Sequence, residues 1–115
     1  PFVVWGSGNE IRDFIHVADV SRASLLALQK GITNDPINIG YGKAITVKDA
    51  VSIILDSCGH NKAEVIFDRT KPVAIPVRMV DASKAKELLG FQAEISPEEG
   101  LANTVEWYKT YYRKE

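Results

Sequence analysis

Arg12 is the side chain best placed to do chemistry in this sequence. It follows a glycine-rich turn, Gly6-Ser7-Gly8-Asn9, and stands seven residues after Trp5. A guanidinium fork holds a diphosphate bidentately, and a nearby indole covers a base or a sugar ring. The competing role for Arg12 is an ion pair with Asp13 or Asp19. Lys71 and Arg78 form a second candidate. They flank a stretch stiffened by Pro72 and Pro76, and two cations on a rigid loop clamp an anion at low entropic cost. The alternative there is a solvated surface loop.

Other chemistries lack their residues. Gly40-Tyr41-Gly42 imitates the opening of a dinucleotide-binding G-x-G-x-x-G, but the third glycine position is Ile45; after Gly6-Ser7-Gly8 it is Ile11. Bulk there opposes close helix–strand packing, so both read as turns. No tyrosine is followed four residues later by lysine. His16 and His60 are far apart, and no metal-ligand spacing is present. Cys58 is the only cysteine. Beside Ile53, Ile54 and Leu55 it reads as a small buried hydrophobe, with Gly59 marking a helix end. No catalytic residue, cofactor loop or metal site is assigned within the chain.

The elements that must position these residues alternate. Phe2-Val3-Val4-Trp5 reads as a short strand and Phe14-Ile15-His16-Val17 as a second extended stretch. Asp19 is placed as the N-cap of a helix from Val20 to Gln29. Ile37-Asn38-Ile39 reads as a buried strand. Thr46 and Asp49 form a capping-box start. Val47, Ala50, Val51, Ile54, Leu55 and Cys58 then give one apolar helical face up to Gly59. Glu64 to Asp68 is a strand. Asp81 is placed as the cap of a helix from Ala82 to Leu89. Ser96-Pro97-Glu98-Glu99 opens a terminal helix reaching about Tyr112. It carries Leu101, Val105, Tyr108 and Tyr112 on one face, so the tyrosines read as packing residues. Strands separated by helices mean α/β architecture.

At 115 residues, with 45% apolar and 25% charged residues, the chain fits one folded portion, residues 1–115, with a real core. Its 14 basic and 15 acidic residues give a net charge of −1, which argues against a broad nucleic-acid surface. No apolar run reaches the roughly 18 residues of a membrane span, and no signal peptide is visible. A reducing, cytoplasmic setting is the default. The start at Pro1, without Met or lead-in, suggests a piece of something longer.

Val4-Trp5-Gly6-Ser7-Gly8, followed by Ile11-Arg12-Asp13-Phe14-Ile15-His16-Val17-Ala18-Asp19, resembles the C-terminal half of extended short-chain dehydrogenases/reductases that act on nucleotide sugars, the NAD-dependent epimerase/dehydratase family. The order continues collinearly through Ile37-Asn38-Ile39-Gly40-Tyr41-Gly42, Thr46 to Gly59, Val80-Asp81-Ala82-Ser83-Lys84-Ala85, Leu88-Leu89-Gly90-Phe91 and Ile95 to Trp107. Within the family, the Val-Trp-Gly-Ser-Gly string, Phe67-Asp68-x-x-Lys71-Pro72 and Ile95-Ser96-x-Glu98-x-Gly100-Leu101 look most like the GDP-L-fucose synthase branch. Enzymes of that branch epimerise and then reduce GDP-4-keto-6-deoxymannose with NADPH.

The resemblance implies the C-terminal portion of a Rossmann-type α/β enzyme, with short strands alternating with about four helices. It implies a substrate-binding role for Trp5, Arg12, Lys71 and Arg78. Arg12 would hold the diphosphate and Trp5 would line the sugar or nucleotide pocket. Lys71 falls in the loop that closes over the nucleotide, and Arg78 near a basic position of that loop, with a one-residue ambiguity. The family's glycine-rich cofactor loop and its Tyr-x-x-x-Lys pair are absent here. NAD(P) binding and catalysis are therefore expected from an N-terminal domain outside this chain, which alone should not turn over. Expected partners are a nucleotide-diphosphate sugar, that Rossmann domain and, through the uncovered edge, a second copy. One departure matters. Where the fucose synthase branch has Asp-Gly-Thr-Pro after Lys-Pro, this chain has Val73-Ala74-Ile75-Pro76, and Ala18 replaces a common acid before Asp19. A UDP- or dTDP-sugar 4-epimerase or 4,6-dehydratase fragment is the alternative, and so is a stand-alone ligand-binding or interaction module.

Overall fold

The computed structural model describes residues 1–73 and 75–112. The expected α/β alternation is present, with four helices among the described residues. Strand β1 (Phe2–Trp5) is followed by β2 (Ile11–Asp13), α1 (Val17–Gln29) and β3 (Ala44–Thr46). Then come α2 (Val47–Cys58), β4 (Val65–Asp68), β5 (Val77–Arg78), α3 (Ser83–Leu89) and α4 (Pro97–Tyr111). Two small sheets result. In one, β1 and β4 run parallel, from Phe2 opposite Val65 to Trp5 opposite Asp68. In the other, the order is β3-β2-β5. There β2 is antiparallel to β3, with Arg12 opposite Ile45, and parallel to β5, with Arg12 opposite Arg78. The β1–β2 turn therefore runs beside the β4–β5 loop, tied by bonds from the Gly6 amide to the Asp68 carbonyl (2.9 Å) and from the Ile11 amide to the Pro76 carbonyl (2.8 Å).

Local signals account for two helix starts. The Thr46 hydroxyl accepts the Asp49 amide while the Asp49 carboxylate returns to Thr46, the reciprocal box expected from the sequence. At α4 the Ser96 hydroxyl accepts the Glu99 amide, and Pro97 occupies the first turn, where no donor is needed. Helices α2 and α4 meet, and Lys109 Nζ donates to the Ser57 carbonyl at 2.7 Å.

Several expectations are corrected. The second strand is Ile11–Asp13, not Phe14 to Val17. Helix α1 starts three residues earlier than Val20, because the His16 imidazole caps it by accepting the Ala18 amide at 3.2 Å. Asp19 is then inside the first turn rather than at the cap. Ile37-Asn38-Ile39 joins no ladder among the described residues; Ile37 and Ile39 pack instead on the core of Ala23, Ala85, Leu89 and Phe91. The strands that pair with β2 are β3 and β5, which apolar pattern alone did not single out. Asp81 sits one residue before the N-terminal position of α3, held by Ala82, yet its carboxylate still accepts the Ser83 amide at 2.9 Å. Cys58 is half-buried rather than buried. On α4, Val105 is buried but Tyr108 and Tyr112 are exposed, and Tyr112 stacks on Tyr108 with ring centres 5.6 Å apart. Ala74 lies outside the described residues.

Asp19 closes the core. Its carboxylate is 2% exposed and accepts the amides of Ile95 (2.9 Å) and Glu94 (3.1 Å) and the guanidinium of Arg22 (2.7 Å). Arg22 also lies over the Phe91 ring, 4.8 Å from its centre. This clamp fastens α1 to the segment between α3 and α4. Elsewhere the chain is open. Its radius of gyration is 16.6 Å, against about 13 Å for a compact chain of this length. Its accessible surface of 8167 Å² compares with about 6200 Å² expected for this mass. Phe2, Val3 and Ile66 of the β1–β4 pair are among the exposed apolar residues.

Candidate functional site

Strand register decides what the candidate residues can do. Arg12 and Arg78 are direct partners on adjacent parallel strands. Partner residues carry their side chains on the same face, with strands about 4.8 Å apart. Two like charges placed so are unfavourable unless an anion lies between them. Among the described residues neither arginine is in an ion pair. The ion-pair role weighed for Arg12 is not what the structure shows. Asp13 is occupied by the amides of Tyr41 (2.9 Å) and Gly42 (3.1 Å), and Asp19 by Arg22. Arg12 is half-buried and Nη1 donates to its neighbour's carbonyl, Ile11 O, at 2.7 Å, while Arg78 is exposed.

Trp5 and Lys71 form a second pair. Trp5 ends β1, is 60% exposed, and has Lys71 Nζ 5.9 Å from its ring centre. Cation–π attraction at such an exposed site is weak, about 0.5–1 kcal/mol. The loop that carries Lys71 begins with a fixed bend, since the Asp68 carboxylate accepts the hydroxyl (2.6 Å) and amide (2.9 Å) of Thr70. The same two bonds, hydroxyl first, hold the Asp68 carboxyl below its ordinary range. So the four residues singled out from sequence fall into two pairs, joined by the β1–β2 turn on one side and the β4–β5 loop on the other.

Sequence reasoning missed Glu10, in the turn between Trp5 and Arg12. It is 8% exposed. It accepts the Ser7 amide (2.9 Å), the Ser7 hydroxyl (2.8 Å) and the Gly8 amide (2.9 Å). The Ser7 amide and Glu10's own amide, followed by the Ser7 hydroxyl, lower its pKa to about 2. The signal was present: Ser7-x-x-Glu10 has the spacing of a capping box, here used in a turn.

These bonds also bear on the cofactor. A dinucleotide's pyrophosphate needs free amides at a glycine turn. The Ser7 and Gly8 amides are taken by Glu10, and those of Tyr41 and Gly42 by Asp13. A Cβ at Gly8 would lie 2.5 Å from the Phe67 ring, so that turn is also sterically closed. Neither glycine turn therefore offers these amides to a dinucleotide's pyrophosphate. An opening of about 660 Å³ lies between His16 and α4, beside Gly100 and Trp107. It is apolar and is lined by none of the four candidate residues.

Comparisons with known proteins place the chain in a family. A family profile described as GDP-mannose 4,6 dehydratase matches residues 1–104. A putative GDP-L-fucose synthase 2 of Arabidopsis thaliana is 35% identical over 106 residues, which is 92% of this chain and 32% of that protein. The solved UDP-glucose 4-epimerase with UDP-glucose from Thermotoga maritima superposes with a TM-score of 0.85 at 34% identity, covering 95% of this chain and 35% of that one. The dTDP-glucose 4,6-dehydratase of Bacillus anthracis in complex with NAD gives 0.84 at 26% identity, covering 97% and 35%. The chain thus spans about a third of the length of the curated relatives it matches. Among the described residues no helix is long and apolar enough to cross a membrane. With the profile match, the curated relatives and the structural likeness in agreement, the chain belongs to the GDP-mannose 4,6-dehydratase family of extended short-chain dehydrogenases/reductases.

Proposed function

We propose that these residues form the nucleotide-sugar side of an NAD(P)-dependent epimerase, dehydratase or reductase of the GDP-L-fucose synthase kind. The observation that supports it is the register of Arg12 opposite Arg78. Two guanidinium groups on one face, free of carboxylate partners among the described residues, suit a diphosphate. Trp5 and Lys71 flank the sugar or base. In this reading an N-terminal dinucleotide-binding domain brings NAD(P) and the acid/base pair, and covers the exposed residues of β1 and β4. Parallel strands are normally buried on both faces, and Phe2 and Val3 are about half exposed here, at 49% and 53%. Without that domain a second copy covers the same face. A cytoplasmic setting fits a chain whose single cysteine has no disulfide partner.

UDP-sugar epimerase chemistry is the runner-up, favoured by the likeness to the Thermotoga maritima enzyme and by Val73 in place of the acid of the fucose synthase branch. Titrating the chain with GDP, UDP and dTDP while following amide and arginine side-chain NMR signals separates the bases. The isolated chain should bind weakly, with a dissociation constant of about 1 mM or above. Shifts should centre on β2 and β5, and Arg12→Ala should weaken the preferred nucleotide about tenfold. Absence of shifts with all three, or unchanged binding by Arg12→Ala, would overturn the diphosphate assignment. A coupled NADPH assay should find no turnover by the chain alone; turnover would contradict the placement of catalysis outside it.

A further inference from the structure

We propose that Glu10 and Asp13 are positioning residues for Arg12: internal carboxylates that fill the glycine turns on either side of β2 and hold Arg12 opposite Arg78 before any ligand arrives. This rests on the diphosphate reading above and adds to it.

The need for such fasteners follows from strand length. β2 has three residues and β5 has two, so the Arg12–Arg78 register rests on two residue pairs. A slip of one residue would turn Arg12 to the opposite face. Ladders this short do not fix register alone.

Both ends of β2 are fastened by a carboxylate. At its start, Glu10 Oε1 accepts the Ser7 amide and hydroxyl, and Oε2 accepts the Gly8 amide at 2.9 Å. Carbonyls of the same turn accept helix donors: Gly8 O takes the Lys48 amide (2.8 Å) and Glu10 O the Val47 amide (2.9 Å). The turn is thereby docked on the first turn of α2 through these backbone bonds. At the end of β2, Asp13 Oδ1 accepts the Tyr41 amide at 2.9 Å and Oδ2 accepts the Gly42 amide at 3.1 Å. A Cβ at Gly40 would lie 2.7 Å from Asp13 Oδ2, so the carboxylate fits against bare backbone.

The consequence is a division of roles. Clustered backbone amides of this sort are anion-binding concavities. Here both are filled by the chain's own carboxylates, which leaves the guanidinium groups of Arg12 and Arg78 to attract an external anion.

The test compares wild type with Glu10→Gln, Glu10→Ala and Asp13→Asn in the 115-residue chain. Inorganic pyrophosphate is the probe, because it carries no base preference. Its affinity is read by NMR, the thermal midpoint is measured in parallel, and cross-strand contacts between Arg12 and Arg78 are read as NOEs without ligand. Wild-type Ser7 and Gly8 amide signals should titrate with the Glu10 carboxyl near pH 2, a response that Glu10→Gln must lose. Glu10→Gln and Asp13→Asn should each weaken pyrophosphate about tenfold and weaken the NOEs, since sites tolerate only small displacements of their ligating groups. The core signals of Ala23, Leu89 and Phe91 should not move. Unchanged affinity and unchanged NOEs in both conservative variants would overturn the proposal. If wild type fails to bind pyrophosphate, the diphosphate reading falls, while the ligand-free NOEs still decide whether the carboxylates set the register. If Glu10→Ala unfolds, Glu10→Gln, which keeps an acceptor oxygen, decides between the two outcomes.

Discussion

Asp19 and Glu10 are the buried acids among the described residues, and they serve different regions with similar chemistry. Each carboxylate accepts two backbone amides and one side-chain donor. The bonds of Asp19 reach 75 and 76 residues along the chain and include a cation, Arg22. Those of Glu10 reach two and three residues and include only a hydroxyl and amides. A long-range clamp opposes the entropy of the whole chain, whereas a local one shapes a turn that already exists. The Asp19 clamp is therefore expected to weigh more on stability, and in the proposed reading the Glu10 turn sets ligand geometry.

The sharpest way to break that contrast is Asp19→Ala. It strands two part-buried amides and a guanidinium, and should cost about 3 kcal/mol by urea denaturation. A loss below about 1 kcal/mol would put Asp19 on a par with surface groups. Gly8→Ala comes next. Its φ of +80° and the Phe67 ring 2.5 Å from the new Cβ should cost about 2 kcal/mol and, unlike Asp19→Ala, should displace signals mainly in β2, β4 and α2.

Acid titration separates the two regions in another way. Both carboxyls have folded values below their unfolded ones. For Asp19, burial pushes the value up but is outweighed by the Ile95 amide, Arg22 and the Glu94 amide; for Glu10 the value falls to about 2. Their contributions are complete above the unfolded values near 4 and disappear as pH falls through the folded ones. Wild-type stability should drop between about pH 5 and pH 2. By linkage the larger downward shift, that of Glu10, carries more of the slope, so Glu10→Gln should flatten it more than Asp19→Asn does, although Asp19→Ala costs more stability at neutral pH; the reverse order would contradict that separation of charge and clamp. The smallest expected stability effect is Arg12→Ala, within about 0.5 kcal/mol of wild type, because it removes one of two facing cations.

What could be read from the residues follows the same division. Helix starts set by neighbours, Thr46 with Asp49 and Ser96 with Pro97, were legible because both partners lie within one turn. The Asp19 clamp was not, since its amide partners are specified only when the chain returns at Glu94 and Ile95. The apolar run from Phe14 to Val17 suggested a strand; the His16 cap converts its end into the start of α1. Ile37 and Ile39 showed strand-like alternation but spend it on the Phe91 core. In the site, residue type and family resemblance singled out Trp5, Arg12, Lys71 and Arg78. That Arg12 faces Arg78 depends on register, which no local pattern in a strand of three residues could supply.

If Arg12 and Arg78 act as one anion site, their contributions to binding must depend on each other. A double-mutant cycle with Arg12→Ala, Arg78→Ala and both together, measuring affinity for the nucleoside diphosphate the chain prefers, tests this directly. Partners on one diphosphate should be coupled by about 1 kcal/mol, so that the second substitution costs less than the first. Strictly additive losses, or no loss from either arginine, would contradict a shared site.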